Sequence, residues 1–437
     1  MTKSMTGKRV AMHGLLIAVL TMGLAFSASA ETIYRFSPAT GAIPVTLGVE
    51  KTLPADPPDD TLTQNGLTFR LYYMDIRNNT HVGFANDAPD GPDAQNRLKE
   101  VLQYIADTLN TPGTLDVLMM ESETDGAGYL AYAGTYYSST AGWQPGASLY
   151  RLTHGSKPFG PSYEEIYVVV DFGRPWNLST AAPGGSQVDF MTVMLHEITH
   201  GLGFVSLSNS TGGSQIAPNV YSVLDQFIAR RTGMVSLFAG NPPSFVGNLA
   251  DLTSNDLAWS GPAAFARYGQ GAPPGVYAPA TWAQGSSLSH WNTGQIVGGA
   301  VMEHAIAMGI MRRQWAPVDL GGLIDIGYAG IAGSYHSADQ NQDNQISLSE
   351  LLRVIQFFNS TGYCCAENPG DTEDGYIPGP CPDHSCAPHS SDYNPQNWVI
   401  SLSELLRLIQ FFNSGGYHAC PGEVPPTEDG FCVGMTK

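Results

Sequence analysis

The first 363 residues of this 437-residue chain contain no cysteine. All six cysteines, at 364, 365, 381, 386, 420 and 432, fall within the last 74 positions. Most of the chain must therefore hold together without disulfides or thiolate metal ligands. Any cross-linked framework is confined to the C-terminal end, where the even count predicts a small stapled module whose pairing the sequence leaves open. Positive charge is equally sparse. Only 20 lysines and arginines stand against 39 acids, for a net charge of −19. Phosphate recognition needs a basic surface, so nucleic acid is excluded as a partner. Long apolar runs are missing too. GLLIAVLTMGLAF (14–26) is too short to span a bilayer comfortably. It follows Lys3, Lys8 and Arg9 and precedes Ala28-Ser29-Ala30, the order of a secretory signal peptide cleaved after Ala30. On this reading the mature chain has no membrane span and is secreted, to the extracellular space, the periplasm or the cell surface.

What is present in excess is repetition. SLSELLRVIQFFNSTGY (347–363) returns as SLSELLRLIQFFNSGGY (401–417), identical at 15 of 17 positions. The apolar residues fall on a helical period, so two copies of a unit built on one amphipathic helix stand in tandem. Before the first helix lies DQNQDNQISLSE (339–350). Asp339, Asn341, Asp343, Gln345 (through its carbonyl), Ser347 and Glu350 occupy positions 1, 3, 5, 7, 9 and 12 of a calcium loop. Asn344 stands at position 6, where glycine is usual, and asparagine tolerates the left-handed backbone that position needs. A polar turn with an N-capped helix is the competing reading. The second copy, DYNPQNWVISLSE (392–404), carries one inserted residue, and its capacity for calcium is left open. The layout resembles dockerin-type and related EF-hand repeats. That resemblance implies docking to a cohesin-like partner or a surface, and no catalysis.

The larger part of the chain reads as α/β. Strand patterns at 68–76, 115–121 and 164–172 alternate with helical patterns at 94–110 and 188–204. This order predicts a mixed sheet above a cleft. The last helix contains His196-Glu197-Ile198-Thr199-His200. Positions i and i+4 share a helix face, so both histidines can grip one zinc ion. Glu197 stands beside the ion as a general base for the attack of water on a polarised carbonyl.

A catalytic zinc site takes three protein ligands, and the third is not where the commonest extended motif puts it. Gly203 is in place, but the ligand position holds Ser206, whose hydroxyl is a poor zinc ligand. No glutamate occurs between Glu197 and Glu303, and no histidine between His200 and His290. The candidates that remain are His290, with Asp225 and His304 as weaker alternatives. Met302 follows His290 by a dozen residues, and an isolated methionine in an apolar run is usually packing.

HEITHGLGF, a long insertion, SHW and then a methionine resemble the leishmanolysin branch of the metzincins. The resemblance implies a zincin catalytic domain with His290 as third zinc ligand and Met302 as the methionine of the turn beneath the metal. It also implies a zinc metalloendopeptidase acting on protein or peptide substrates. The expected plan is a signal peptide (1–30), an N-terminal extension (31–60), a metallopeptidase domain (61–330) and the tandem repeats (331–385 and 386–437). Two other readings stay open: an anchoring protein whose zinc fold is structural or inactive, and a zinc amidase or esterase. For the repeats, calcium should raise the thermal stability of the C-terminal module and Asp339→Ala should blunt that gain. Calorimetry with and without chelator tests this, and melting indifferent to calcium would refute the loop.

Overall fold

The computed structural model describes residues 32–434 apart from 79–81, 87–88, 127, 269–271, 297, 329, 332–334, 342–343, 367–371, 385–387, 394–396, 420–428 and 430. The expected signal peptide and Asp343 therefore lie outside the described residues. The fold is mixed α/β. A seven-stranded sheet is built from β1 (Thr32–Ser37), β2 (Gly41–Thr46), β3 (Asp60–Gln64), β4 (Leu67–Tyr73), β5 (Gly113–Glu121), β6 (Ala131–Ser138) and β7 (Ile166–Val170). Their spatial order is β2-β1-β6-β7-β5-β4-β3. β4, β5 and β7 run parallel, with Tyr72 opposite Leu118 and Val117 opposite Ile166. β6 is antiparallel to β7, pairing Ala133 with Val168, and β1 is antiparallel to β6. The central parallel strand β7, IYVVV, is buried at every position, as a strand covered on both faces requires.

Three strands from the region expected as an N-terminal extension join the sheet. Thr32–Ser37 and Gly41–Thr46 extend the sheet beyond β6, and Asp60–Gln64 closes its other edge. Their short, half-polar patterns carry little strand signal alone; pairing with neighbours decides them. The strand expected over 68–76 also ends early, because Met74–Asn78 turns into a short helix.

Alternation sorts the sheet into two faces. Leu71, Val117, Met119, Ala133 and Val168 join the main core, whereas Tyr72, Leu118 and Tyr167 cluster with Leu53 on the opposite side. The helices α1 (Gly91–Leu109), α2 (Gly146–His154) and α3 (Phe190–Gly201) contribute their apolar residues to the main core. In α1, Ala94, Leu98, Val101, Leu102, Ile105 and Leu109 are buried, one stripe at helical spacing. A fourth helix, α4 (Pro317–Ile326), packs into the same core through Val318, Leu323 and Ile326. No helix among the described residues is long and apolar enough to cross a membrane.

The tandem repeats form a second core around α5 (Leu348–Asn359) and α6 (Leu402–Asn413), with Val354, Phe357, Leu408 and Phe411 at its centre. The two copies hold each other reciprocally. Tyr417 of the second copy donates to Asp339 at 2.7 Å, and Tyr363 of the first donates to Asp392 at 2.8 Å. The same hydroxyls accept from the backbone N–H groups of His336 and His389. Ser337 and Ser390 bond side chain to side chain at 2.7 Å. Cys364 and Cys381 are disulfide-bonded, and Cys365 and Cys432 are also in disulfides.

In the first loop Asn344 adopts φ 61°, the left-handed backbone expected at that position. Asp339 and Glu350 are buried, while Asn341, Gln345 and Ser347 are exposed. Glu350 closes a capping box with Ser347 and also accepts from the N–H groups of Gln340 and Asn341. Its carboxylate thus ties both ends of the loop to the helix start.

His336 and His389 are buried in this core, and burial drives both below the usual histidine value of 6.5, His389 to about 4. The unfolded chain therefore binds protons more readily than the folded one. Stability is full above pH 6.5 and is lost as pH falls toward 4. The thermal transition of the repeat module should move down over that interval, and His389→Gln should flatten the decline. Melting followed by near-ultraviolet circular dichroism checks it; an unchanged profile in the variant would refute it.

Candidate metal centre

The site begins with helix α3. Its sequence FMTVMLHEITHG is apolar nearly all round, as suits a helix enclosed by the core. Asp189 caps the start, accepting from Thr192 N–H at 3.1 Å and its hydroxyl at 2.7 Å. The same carboxylate pairs with Arg313, which also donates to the carbonyls of Ser179, Thr180 and Ala181. Near the other end, a Cβ at Gly201 would lie 2.5 Å from Ile166, so glycine lets the helix seat directly on β7. Gly203, at φ 97°, then turns the chain. The expected helix over 188–204 is thus trimmed to Phe190–Gly201, and only the second glycine makes the turn.

The fold brings His196, His200 and His290 together, with ligand atoms all within 4.8 Å of one another. The His290 Nε2 lies 3.1 Å from that of His200 and 3.3 Å from that of His196. Each ring uses its other nitrogen on a backbone carbonyl: His196 on Val301 at 2.7 Å, His200 on Phe204 at 2.7 Å and His290 on Ser286 at 2.9 Å. A carbonyl only accepts, so each Nδ1 must carry the hydrogen. In the neutral rings every Nε2 then presents a lone pair, and three lone pairs converge with no proton between them. That arrangement is repulsive unless a cation occupies the centre. The donor set and its carbonyl-fixed tautomers fit a metal ion held by three imidazoles.

Burial agrees. His200 and His290 are 2% and 4% exposed. Burial pushes all three rings below their ordinary pKa, His196 to about 4. They therefore resist protonation and keep their lone pairs. Glu197 is buried between them in sequence, and burial raises its carboxyl well above the usual range, against one hydrogen bond from the backbone of Ala133 in β6.

Ser206 proves to be structural. Its hydroxyl donates to Asp225 at 2.5 Å and its N–H to Ser289, the neighbour of His290, at 3.0 Å. Asp225, the alternative ligand, is occupied elsewhere. It accepts from Ser206, from the Leu207 N–H and from both the N–H and hydroxyl of Ser222. Burial raises its pKa to about 6. His304 is not part of the convergent group either. Met302 is fully buried, and its carbonyl accepts from the Trp291 N–H at 2.9 Å, placing it beside His290.

Sequence reasoning missed Asp319. This fully buried residue in the first turn of α4 accepts from Trp291 Nε1, the N–H groups of Val301 and Met302, and that of Ala316. It thereby fixes both the residue after His290 and the carbonyl that orients His196. The available signal was Ala316-Pro317-Val318-Asp319, a proline and an acid opening a helix. Trp291, Trp259 and Phe204 pack ring to ring at 5.1–5.6 Å, joining the insertion to the helix end.

His290→Ala should abolish stoichiometric metal binding. Asp225→Asn should retain metal while losing about 1–3 kcal/mol of stability, the cost of disturbing a buried acceptor. Elemental analysis and denaturant unfolding read the two effects, and full occupancy in His290→Ala would remove it from the ligand set.

No family model matches the chain, and neither a curated protein nor a solved structure does.

Proposed function

We propose that this chain is a secreted zinc metalloendopeptidase of metzincin type, as its resemblance to the leishmanolysin branch implies. The observation that carries the reading is the convergence of three imidazole Nε2 lone pairs, with a buried glutamate next to His196 in the helix. A zinc ion held there would supply Lewis acidity, polarising a carbonyl and lowering the pKa of a water to about 7. His196, His200 and His290 hold the ion's position through their carbonyl-anchored rings. Glu197, one residue along the helix from His196, takes the proton of the attacking water and returns it to the leaving amine. Burial alone favours its neutral form, and a cation held by the imidazoles would favour the carboxylate.

An intact acid between the two helical histidines supports an enzyme over a structural zinc fold, which has no use for a base. The substrate is a protein or peptide. The C-terminal repeats, on the same reading, bind calcium and tether the enzyme to a cohesin-like partner or a surface.

Purified mature chain should digest unfolded casein in a chelator-sensitive way, and zinc should restore the activity. Glu197→Ala should keep its metal but lose at least about 10²-fold in kcat, the order expected for a positioned general base. Equal digestion by wild type and variant, or none by either, defeats the peptidase reading.

A further inference from the structure

The hairpin of β1 and β2 ends beside the metal centre. β6 packs against helix α3, and the Ala133 backbone bonds the Glu197 carboxyl. Between β6 and β7 the Asp171 N–H donates to the Leu130 carbonyl, and the register sets Ala131 opposite Val170 and Ala133 opposite Val168. Bonded and non-bonded pairs alternate along an antiparallel ladder. Leu130, Tyr132 and Gly134 therefore bond toward β7, while Ala131, Ala133, Thr135 and Tyr137 turn their N–H and C=O groups to the other edge.

β1 covers only part of that edge. Phe36 pairs with Thr135 and Tyr34 with Tyr137, and the ladder stops at Phe36. A Cβ at Gly134 would collide with the Phe36 carbonyl, so β1 lies hard against the strand up to that point. The chain then turns through residues 38–40 into β2, with Ser37 opposite Gly41. The turn is braced from within: the Ser37 hydroxyl accepts from the Thr40 N–H at 3.1 Å and bonds its hydroxyl at 2.8 Å. On its far side, a Cβ at Gly285 would lie 3.0 Å from the Pro38 carbonyl oxygen. The next residue, Ser286, supplies the carbonyl that orients His290. The tip thus bridges the edge of β6 and the segment that carries the third imidazole. Beyond it, among the described residues, no strand pairs with the outward groups of Ala131 or Ala133. Ala133 is fully buried, and Ala131 is 7% exposed.

We propose that the hairpin tip closes one end of the substrate cleft, so that a bound peptide is held along β6 by the residues after its scissile bond and gains no edge contact beyond about two residues before it. The inference rests on the peptidase reading and deepens it by naming which side of the substrate is recognised. β6 is antiparallel to both of its neighbours, and a peptide added in the same sense runs from the tip toward Ala131. Its N-terminal side therefore meets the tip. Glu197 marks the reacting carbonyl near Ala133. From there to Thr135, where β1 begins, the strand advances about 7 Å, or about two residues. In the other direction the N–H and C=O of Ala131 are unpaired and can add a peptide strand.

The test uses the full mature chain and quenched fluorescent peptides that share one core, lengthened residue by residue on either side, with zinc content measured throughout. Additions after the scissile bond should raise kcat/KM about tenfold, the order that two backbone hydrogen bonds supply, while additions before it should change kcat/KM by less than about twofold past the second residue. Ala131→Pro removes an outward N–H without touching the ladder to β7, and should erase most of the gain on the C-terminal side. A chain beginning at residue 47 bares the rest of the edge and should make N-terminal additions favourable; if it fails to fold, the wild-type series decides alone. Equal gains on both sides, no gain on the C-terminal side, or an undiminished gain in zinc-loaded Ala131→Pro overturns the proposal. Wild type that cleaves no peptide in a chelator-sensitive way overturns the peptidase reading as well; cleavage with symmetric length dependence overturns this inference only.

Discussion

Three backbone carbonyls determine what the centre of this molecule can do. By accepting Nδ1–H from His196, His200 and His290, the carbonyls of Val301, Phe204 and Ser286 leave every Nε2 with a lone pair and aim it. Phe204 and Ser286 each lie four residues from the ring they orient. Val301 lies 105 residues from His196. The site therefore exists only when helix α3, the end of the insertion and the Met302 segment are docked together. Burial then keeps the rings neutral, and mutual repulsion of their lone pairs creates the demand for a cation.

Two buried aspartates perform that docking. Asp225 gathers donors from Ser206, Leu207 and Ser222, pinning the start of the insertion to a point nineteen residues on. Asp319 gathers donors from Trp291, Val301, Met302 and Ala316, pinning its end. Each carboxylate sits in a nest of N–H and O–H groups, and in each burial still lifts the pKa to about 6. They stand behind the metal site as backbone clamps, and the insertion between them reads as a device for delivering His290.

The C-terminal module solves the same problem by other means. A small core supplies little burial, and stapling plus reciprocity compensates. Its copies exchange tyrosine hydroxyls across a local two-fold relation, so each loop's first acid is held by the other copy. The larger part of the chain has no cysteine and relies on the core of a seven-stranded sheet. The contrast in cysteine usage along the chain thus follows the contrast in core size.

Much of the centre was legible in the sequence because it is local. The i, i+4 spacing of His196 and His200 follows from helix geometry, and the want of other histidines and glutamates left His290 as the leading candidate beside Asp225 and His304. The tandem repeat was visible as self-similarity, and Asn344 in its left-handed backbone follows from residue chemistry. Long-range pairing was not legible. Residues 32–46 became strands because β6 offered them an edge, β6 itself escaped notice, and Asp319 looked like any acid opening a helix. Sequence alone determined which side chains carry the chemistry and the period on which they recur. Tertiary structure alone decided which carbonyl faces which imidazole and which carboxylate clamps which turn. Those contacts join residues as far as 105 positions apart, and only the packed core brings them within hydrogen-bonding distance.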